Sequence, residues 1–308
     1  MIEPQVPRLA HQVATRALTW LHANRELGAL PPDVTIDLAD PDNAYKPLGE
    51  TALAASLVLR ENVAGPRQTQ LAAELLEFCW QQLRGGDLLY ERQLRHSLLT
   101  DPLETYAHFA RAGYRHAPME ELLAGLTRLR AARAVECVPN RKLAVANARR
   151  VVGLEEDTDW DALTDATWLG ATPEPWAVDW MTGYDVTHTV FHLTDWGARP
   201  EGLPQRLRGY VRTWLPVWVD VWQEVCQWDL MAELLIVDSA CGEPVCGIGP
   251  WEQLARVQHE DGLTPRDADP VEEDPEIRYK DHQHPAVVAV IAGTVALSRS
   301  LDTGVRTG

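Results

Sequence analysis

The stretch Tyr184-Asp-Val-Thr-His-Thr-Val-Phe-His-Leu-Thr-Asp-Trp-Gly197 decides the fold class, because its apolar residues recur at helical spacing and it stops at a glycine. Four more stretches are built the same way: Thr105 to Gly113, Leu143 to Gly153, Leu230 to Gly242 and Pro285 to Leu297. Each follows a more polar amphipathic segment across a loop rich in Gly, Pro or Asp. Alternating runs bounded by turn residues are nearly absent, so strand content is expected to be near zero.

The apolar segments repeat at roughly 40 to 50 residues, and helix pairs at that period form either an open solenoid or a closed α/α toroid. The second members are so apolar that the closed ring is the preferred reading. The expectation is an all-α protein of about eleven helices, with residues 1–308 forming a single α/α-toroid domain. The less polar helices would then form an inner layer, with polar residues at one end facing a common central cavity. Residues 265–280 are acidic and Pro-rich and read as a solvated loop within this domain. Pro285 fits a first helical turn, which would set His282 and His284 at that helix's mouth.

Composition limits the function. The 308 residues carry 28 basic and 45 acidic side chains, a formal net charge of −17, and 45% are hydrophobic. Disorder does not fit this balance, and a chain this acidic repels phosphate backbones, so no nucleic-acid partner is expected. No apolar run approaches the roughly 20 residues of a membrane span, so no membrane partner is expected. The N-terminus lacks a secretory pattern, and a cytoplasmic protein is expected. The five cysteines suggest no disulfide ladder. Phosphate-binding glycine loops, a Gly-x-Ser-x-Gly elbow and a kinase set are missing, which disfavours nucleotide-driven and serine-hydrolase chemistry. Of the 12 tryptophans, nine lie between Trp160 and Trp228.

Asp185, His188, His192 and Asp195 lie within an arc of about 80° on one helix face. His188 and His192, four residues apart, can ligate one metal with Asp185 completing a partial shell, so zinc or another divalent cation is one reading. The same set can transfer protons, since a carboxylate beside an imidazole fixes its tautomer. Two aspartate-bonded histidines can also simply satisfy a polar seam between helices. Across the expected cavity, His284 is a second candidate catalytic residue and His282 a substrate-binding one. Asp87, Tyr90 and Glu91 are read in a loop before an inner helix, with Tyr90 as an acid and Glu91 as a base. Asn140 and Arg141 at another helix mouth can hold a carboxylate or phosphate, and Asp229 and Glu233, four residues apart, add carboxylates at a similar place. Trp176 and Trp180, just before the histidine helix, can wall a cavity for a bulky apolar or peptide substrate.

Trp168-Leu-Gly-Ala-Thr-Pro-Glu-Pro-Trp176, Thr187 to Gly197 and Asp281-His-Gln-His-Pro285 resemble an uncharacterised bacterial family often associated with natural-product gene clusters. That resemblance covers nearly the whole chain and carries no chemistry with it. Leu254-Ala-Arg-Val-Gln-His-Glu-Asp-Gly262 is similar to the Gln–Asp-Gly repeats of terpenoid-cyclase-like toroids, although it occurs once and Leu263 stands where an aromatic residue is usual. The architecture also resembles lanthipeptide cyclases, and stand-alone cyclases of class V pathways in particular. The Cys-His-Gly zinc motif of the usual lanthipeptide cyclase is absent. What the resemblance implies is a cyclase or lyase that tailors a ribosomal peptide or small natural product without a redox cofactor, alongside pathway partner enzymes. His188 or His192 would then act as base, with Tyr90 or His284 as proton donor. The same residues support two other expectations: a metal-dependent hydrolase or oxygenase built on Asp185, His188 and His192, and a non-catalytic toroid that binds a peptide or carrier protein.

Overall fold

Proline marks the starts of many helices, and residues in left-handed conformation mark several ends. The computed structural model describes residues 5–36, 44–154 and 158–306. Fourteen α-helices follow one another among the described residues: α1 (Gln5–Ala23), α2 (Tyr45–Glu61), α3 (Pro66–Gln82), α4 (Asp87–Arg95), α5 (Asp101–Arg111), α6 (Ala117–Thr127), α7 (Arg130–Ala134), α8 (Pro139–Val152), α9 (Trp160–Asp165), α10 (Trp180–Thr194), α11 (Gln205–Glu224), α12 (Trp228–Ala240), α13 (Gly249–Val257) and α14 (Pro275–Arg306). No strand occurs among them. The count exceeds the expected eleven by three, and two of these, α7 and α9, five and six residues long, are too short to show a helical period.

Pro66, Pro102, Pro118, Pro139 and Pro250 stand in first turns, where a missing N–H leaves no intrahelical bond unmade. A capping box opens α10: Asp179 Oδ1 accepts the Thr182 N–H and Thr182 Oγ1 accepts the Asp179 N–H, both at 2.8 Å. The same helix ends where Asp195 and Trp196 adopt φ of 46° and 56° in succession, which turns the chain sharply across the helix end.

Two sequence expectations about α14 need correction. The acidic loop does not extend to residue 280, because the helix begins at Pro275. Pro285 is an interior residue of that helix, so His282 and His284 lie well inside it rather than at its mouth. Two prolines compete for the helix start, and Pro275, directly after the acidic run, is the one in the first turn. Among the described residues one helix, α14, is long and apolar enough to cross a bilayer; 72% of its most apolar window is buried in the packed protein. Its apolarity is that of a central helix, packed against α1, α2 and α12.

Six helices carry the arrangement that matters for function. α2 packs on α5, α5 on α8, α8 on α10, α10 on α12, α12 on α14, and α14 on α2. Side-chain pairs show that neighbours run in the same direction. Asn140 and Asn147 of α8 meet Asp185 and Asp195 at successive levels. Tyr184 and Thr187 of α10 meet Asp229 and Glu233 of α12 in the same order. Gln283 and Ser298 of α14 meet Thr51 and Glu61 of α2. The remaining helices pack outside this set, with α3 on α2, α4 on α5, α9 on α8 and α11 on α12. Every residue of α12 is buried, three acids included, so each acid must find a partner within the protein.

Candidate metal centre

The six same-direction helices surround a cavity of about 550 Å³. Each presents residues at helical spacing, as in Tyr184, His188, Phe191 and His192 of α10 or Asp229, Glu233 and Ile236 of α12. At the N-terminal ends stand Lys46, Arg141 and Arg266, the last two about half exposed, so the cavity opens there. At the C-terminal ends the Asp195–Trp196 turn closes it. Arg111 donates to Asp195 Oδ1 at 2.8 Å, Arg60 donates to the carbonyls of Asp195 and Trp196 at 2.9 and 3.0 Å, and the Trp196 side chain lines the cavity.

Three elements bring four ligand-type residues together. Asp229 and Glu233 are one turn apart on α12, and His284 approaches from α14; one ligand atom from each lies within 4.8 Å of the others. His284 Nε2 is 3.7 Å from Asp229 Oδ1 and 3.8 Å from Glu233 Oε1. His188 of α10 adds its Nε2 at 3.9 Å from the same Glu233 oxygen. The outer oxygens are fixed: Tyr184 OH donates to Asp229 Oδ2 at 2.7 Å and Thr187 Oγ1 donates to Glu233 Oε2. Glu50 of α2 lies 3.0 Å from His284 Nδ1. The inner oxygen of Asp229, Oδ1, is buried and accepts no hydrogen bond.

Burial is the largest influence on each carboxyl, and the neighbours decide the outcome. Asp229 is raised by burial, and His284 offsets this only in part. Burial would also raise Glu233, but His188 and His284 outweigh it and hold that carboxyl at about 2. The two carboxyls of one site are thus pushed apart. Burial disfavours the charged form of His284, yet Glu50 and Asp229 hold it well above the usual imidazole range. Tyr184 is raised by burial and by Asp229, so it stays a donor. The cluster has more negative than positive charge, and bringing a divalent cation into it would displace the His284 proton and supply what Asp229 Oδ1 lacks.

The structure distributes the sequence candidates over several places. His188, His192, His284, Asn140, Arg141 and Asp229 all line the cavity. Asp185 does not; its Oδ1 accepts from Asn140 Nδ2 at 2.7 Å, which turns it toward α8. His192 faces the cavity one turn below His188, their ring centres 6.1 Å apart, and burial together with His188 keeps it neutral. His282 is buried beside the cavity and accepts the Arg266 N–H at 3.3 Å, clipping the acidic loop to α14. Asp87, Tyr90 and Glu91 lie on helix α4 rather than in a loop at an inner helix mouth. There Asp87 pairs with His116 at 2.9 Å, away from the cavity. Gly85 and Gly86, both at positive φ, make a tight turn, and α4 starts at once after it. Trp176 and Trp180 are 80% and 61% exposed and do not line this cavity; Trp180 packs edge-on against Tyr184. Sequence reasoning passed over Glu50 and Tyr184, and it placed Glu233 with Asp229 as an added carboxylate without joining either to His284. The available signal was three acids in the otherwise apolar Trp228–Ala240 segment.

A family profile described as a domain of unknown function matches residues 14–294. The chain belongs to the DUF6895 family. The match spans all six cavity-lining helices, α14 up to Thr294, and so includes every residue of the cluster. No curated protein and no solved structure matches the chain.

Proposed function

We propose that this DUF6895 protein is a metal-dependent enzyme, in which Asp229, Glu233 and His284 hold one divalent cation and His188 stands beside it. The observation that carries this reading is Asp229 Oδ1, a buried carboxylate oxygen with no hydrogen-bond donor, facing two other ligand-type side chains. A mixed imidazole and carboxylate donor set suits zinc, iron(II) or manganese(II) better than magnesium or calcium. The cation would supply Lewis acidity and a water ionised near neutral pH. His188 would take up the proton, Tyr184 would hold Asp229 in place, and the half-enclosed cavity would limit water access. Metal-assisted hydrolysis is the reaction class this arrangement serves most directly; an oxygenase would use the same ligands with iron(II). The circuit of contacts closed by α14 on α2 supports reading the architecture as an α/α toroid, with the centre inside the ring.

The metal reading moves the ligand set away from Asp185, which Asn140 occupies. A metal-free reading remains in keeping with the cyclase resemblance: His284, held protonated by Glu50 and Asp229, would be the acid and His188 the base for closing a ring in a peptide or small natural product. Metal content of purified, dialysed, tag-free protein separates the two. Near one equivalent of metal, lost in Asp229→Asn/Glu233→Gln, supports the enzyme proposed here. Absence of metal as isolated, with no uptake of zinc, iron(II) or manganese(II) in titration calorimetry, overturns it.

A further inference from the structure

The lining of the cavity changes character along the helices. The charged cluster occupies the first turns, from Tyr184, Asp229 and Glu50 to His188 and Glu233. One to two turns further, the same helices present Leu53, Phe191, Ile236, Val287 and Ile291, with Trp196 at the closed end. From Asp229 to Ile236 the α12 axis advances roughly 10 Å. The facing wall, from α5 and α8, contributes Ala107, Ala144 and Ala148, which leave the space open instead of filling it.

Polar groups at that depth are already engaged or uncharged. Arg111 is taken by Asp195, and Asn147 lies between Asp195 and Arg150. His108 is held neutral, by burial and then by Arg111 beside it, at about 3. An enclosed apolar space next to a polar cluster gains most by taking up a ligand that divides the same way.

We infer that the substrate is an amphiphile, with a metal-ligating polar head at Asp229, Glu233 and His284 and a hydrocarbon or aromatic body lying against Ile236, Val287 and Ile291, in the room left by Ala144 and Ala148. This inference rests on the metal reading. It adds the direction in which the substrate lies and the residues that set its size.

The test uses the metal-loaded full-length protein and straight-chain hydroxamates from acetohydroxamate to octanohydroxamate, followed by titration calorimetry. The hydroxamate reports the head site and the chain reports the apolar space. Affinity is expected to rise about fourfold per methylene until the space is full. Ala144→Phe should abolish that rise while leaving acetohydroxamate binding unchanged. Ala148→Leu is the milder filling substitution, for use if the first does not fold. Acetohydroxamate binding with an affinity independent of chain length overturns the amphiphile inference and leaves the metal site standing. Failure of the protein to take up metal removes the head site and overturns both.

Discussion

Glu50 Oε1 lies 3.0 Å from Nδ1 of His284, on the side of the ring away from Asp229 and Glu233. A carboxylate there accepts the Nδ1 proton and leaves the Nε2 lone pair for a cation. Glu50→Gln can offer its amide hydrogen to Nδ1 and so favours the opposite tautomer. Its metal affinity is expected to fall roughly 10- to 100-fold, as read by competition with a chromophoric chelator. An unchanged affinity would remove Glu50 from the site.

Asp229 also carries a stability prediction. Without a cation its inner oxygen is a buried acceptor with no donor, which costs about 1–3 kcal/mol. Asp229→Asn should therefore melt no lower than the wild type when both are metal-free. Added metal should stabilise the wild type only, by about 4 kcal/mol at a thousandfold excess over Kd. Equal stabilisation of both proteins would place the cation elsewhere.

His108 predicts a pH dependence. Its imidazole is held at about 3, against 6.5 for the free side chain, chiefly by burial and then by Arg111. Between these values the unfolded chain binds a proton that the folded protein does not, so stability falls as pH drops from 6.5 toward 3. The expected slope from this residue is about 1.4 kcal/mol per pH unit. Urea unfolding at pH 6.5, 5.5 and 4.5 should show His108→Gln losing less stability on acidification than the wild type. Parallel curves would show that the imidazole is solvated.

Asp195 holds the closed end of the cavity together. Its carboxylate meets Arg111 at 2.8 Å and Arg60 at 3.4 Å, and the Arg111 side chain is only 6% exposed. Asp195→Ala strands a buried guanidinium and is expected to cost about 3–5 kcal/mol by urea unfolding. A loss below 1 kcal/mol would mean that the other contacts of Arg111, Ser56 Oγ at 3.5 Å and His108 Nδ1 at 3.4 Å, are sufficient.

How far the sequence could be read depended on whether a feature was local. The apolar segments ending near glycine gave the helices, because burial imposes the 3.6-residue period directly. Asp229 and Glu233 shared a face by spacing alone, and His188 and His192 both reach the cavity as their shared arc implied. The same arc misled for its outer members. Asp185 sits where α10 meets α8 and is taken by Asn140, while Asp195 has left helical geometry at φ 46°. The link from Asp229 and Glu233 to His284 crosses some fifty residues and a change in helix start at Pro275. No local pattern encodes it. Glu50 was illegible for the same reason: a glutamate early in an amphipathic helix has the ordinary appearance of a solvated residue.

The shared direction of the six helices has an electrostatic consequence. Peptide dipoles that would cancel in an up-and-down bundle add here, positive toward the open end and negative toward the Asp195–Trp196 turn. Carboxylates are stabilised at one end of such an arrangement and cations at the other; Glu104 and Asp229 in first turns and Arg60, Arg111 and Arg150 in last turns follow this rule, while Lys46 and Arg141 in first turns and Asp195 at the end of α10 run against it. The cavity is therefore polarised along its axis by the backbone itself, and an anionic group approaching from solvent meets the attractive pole first.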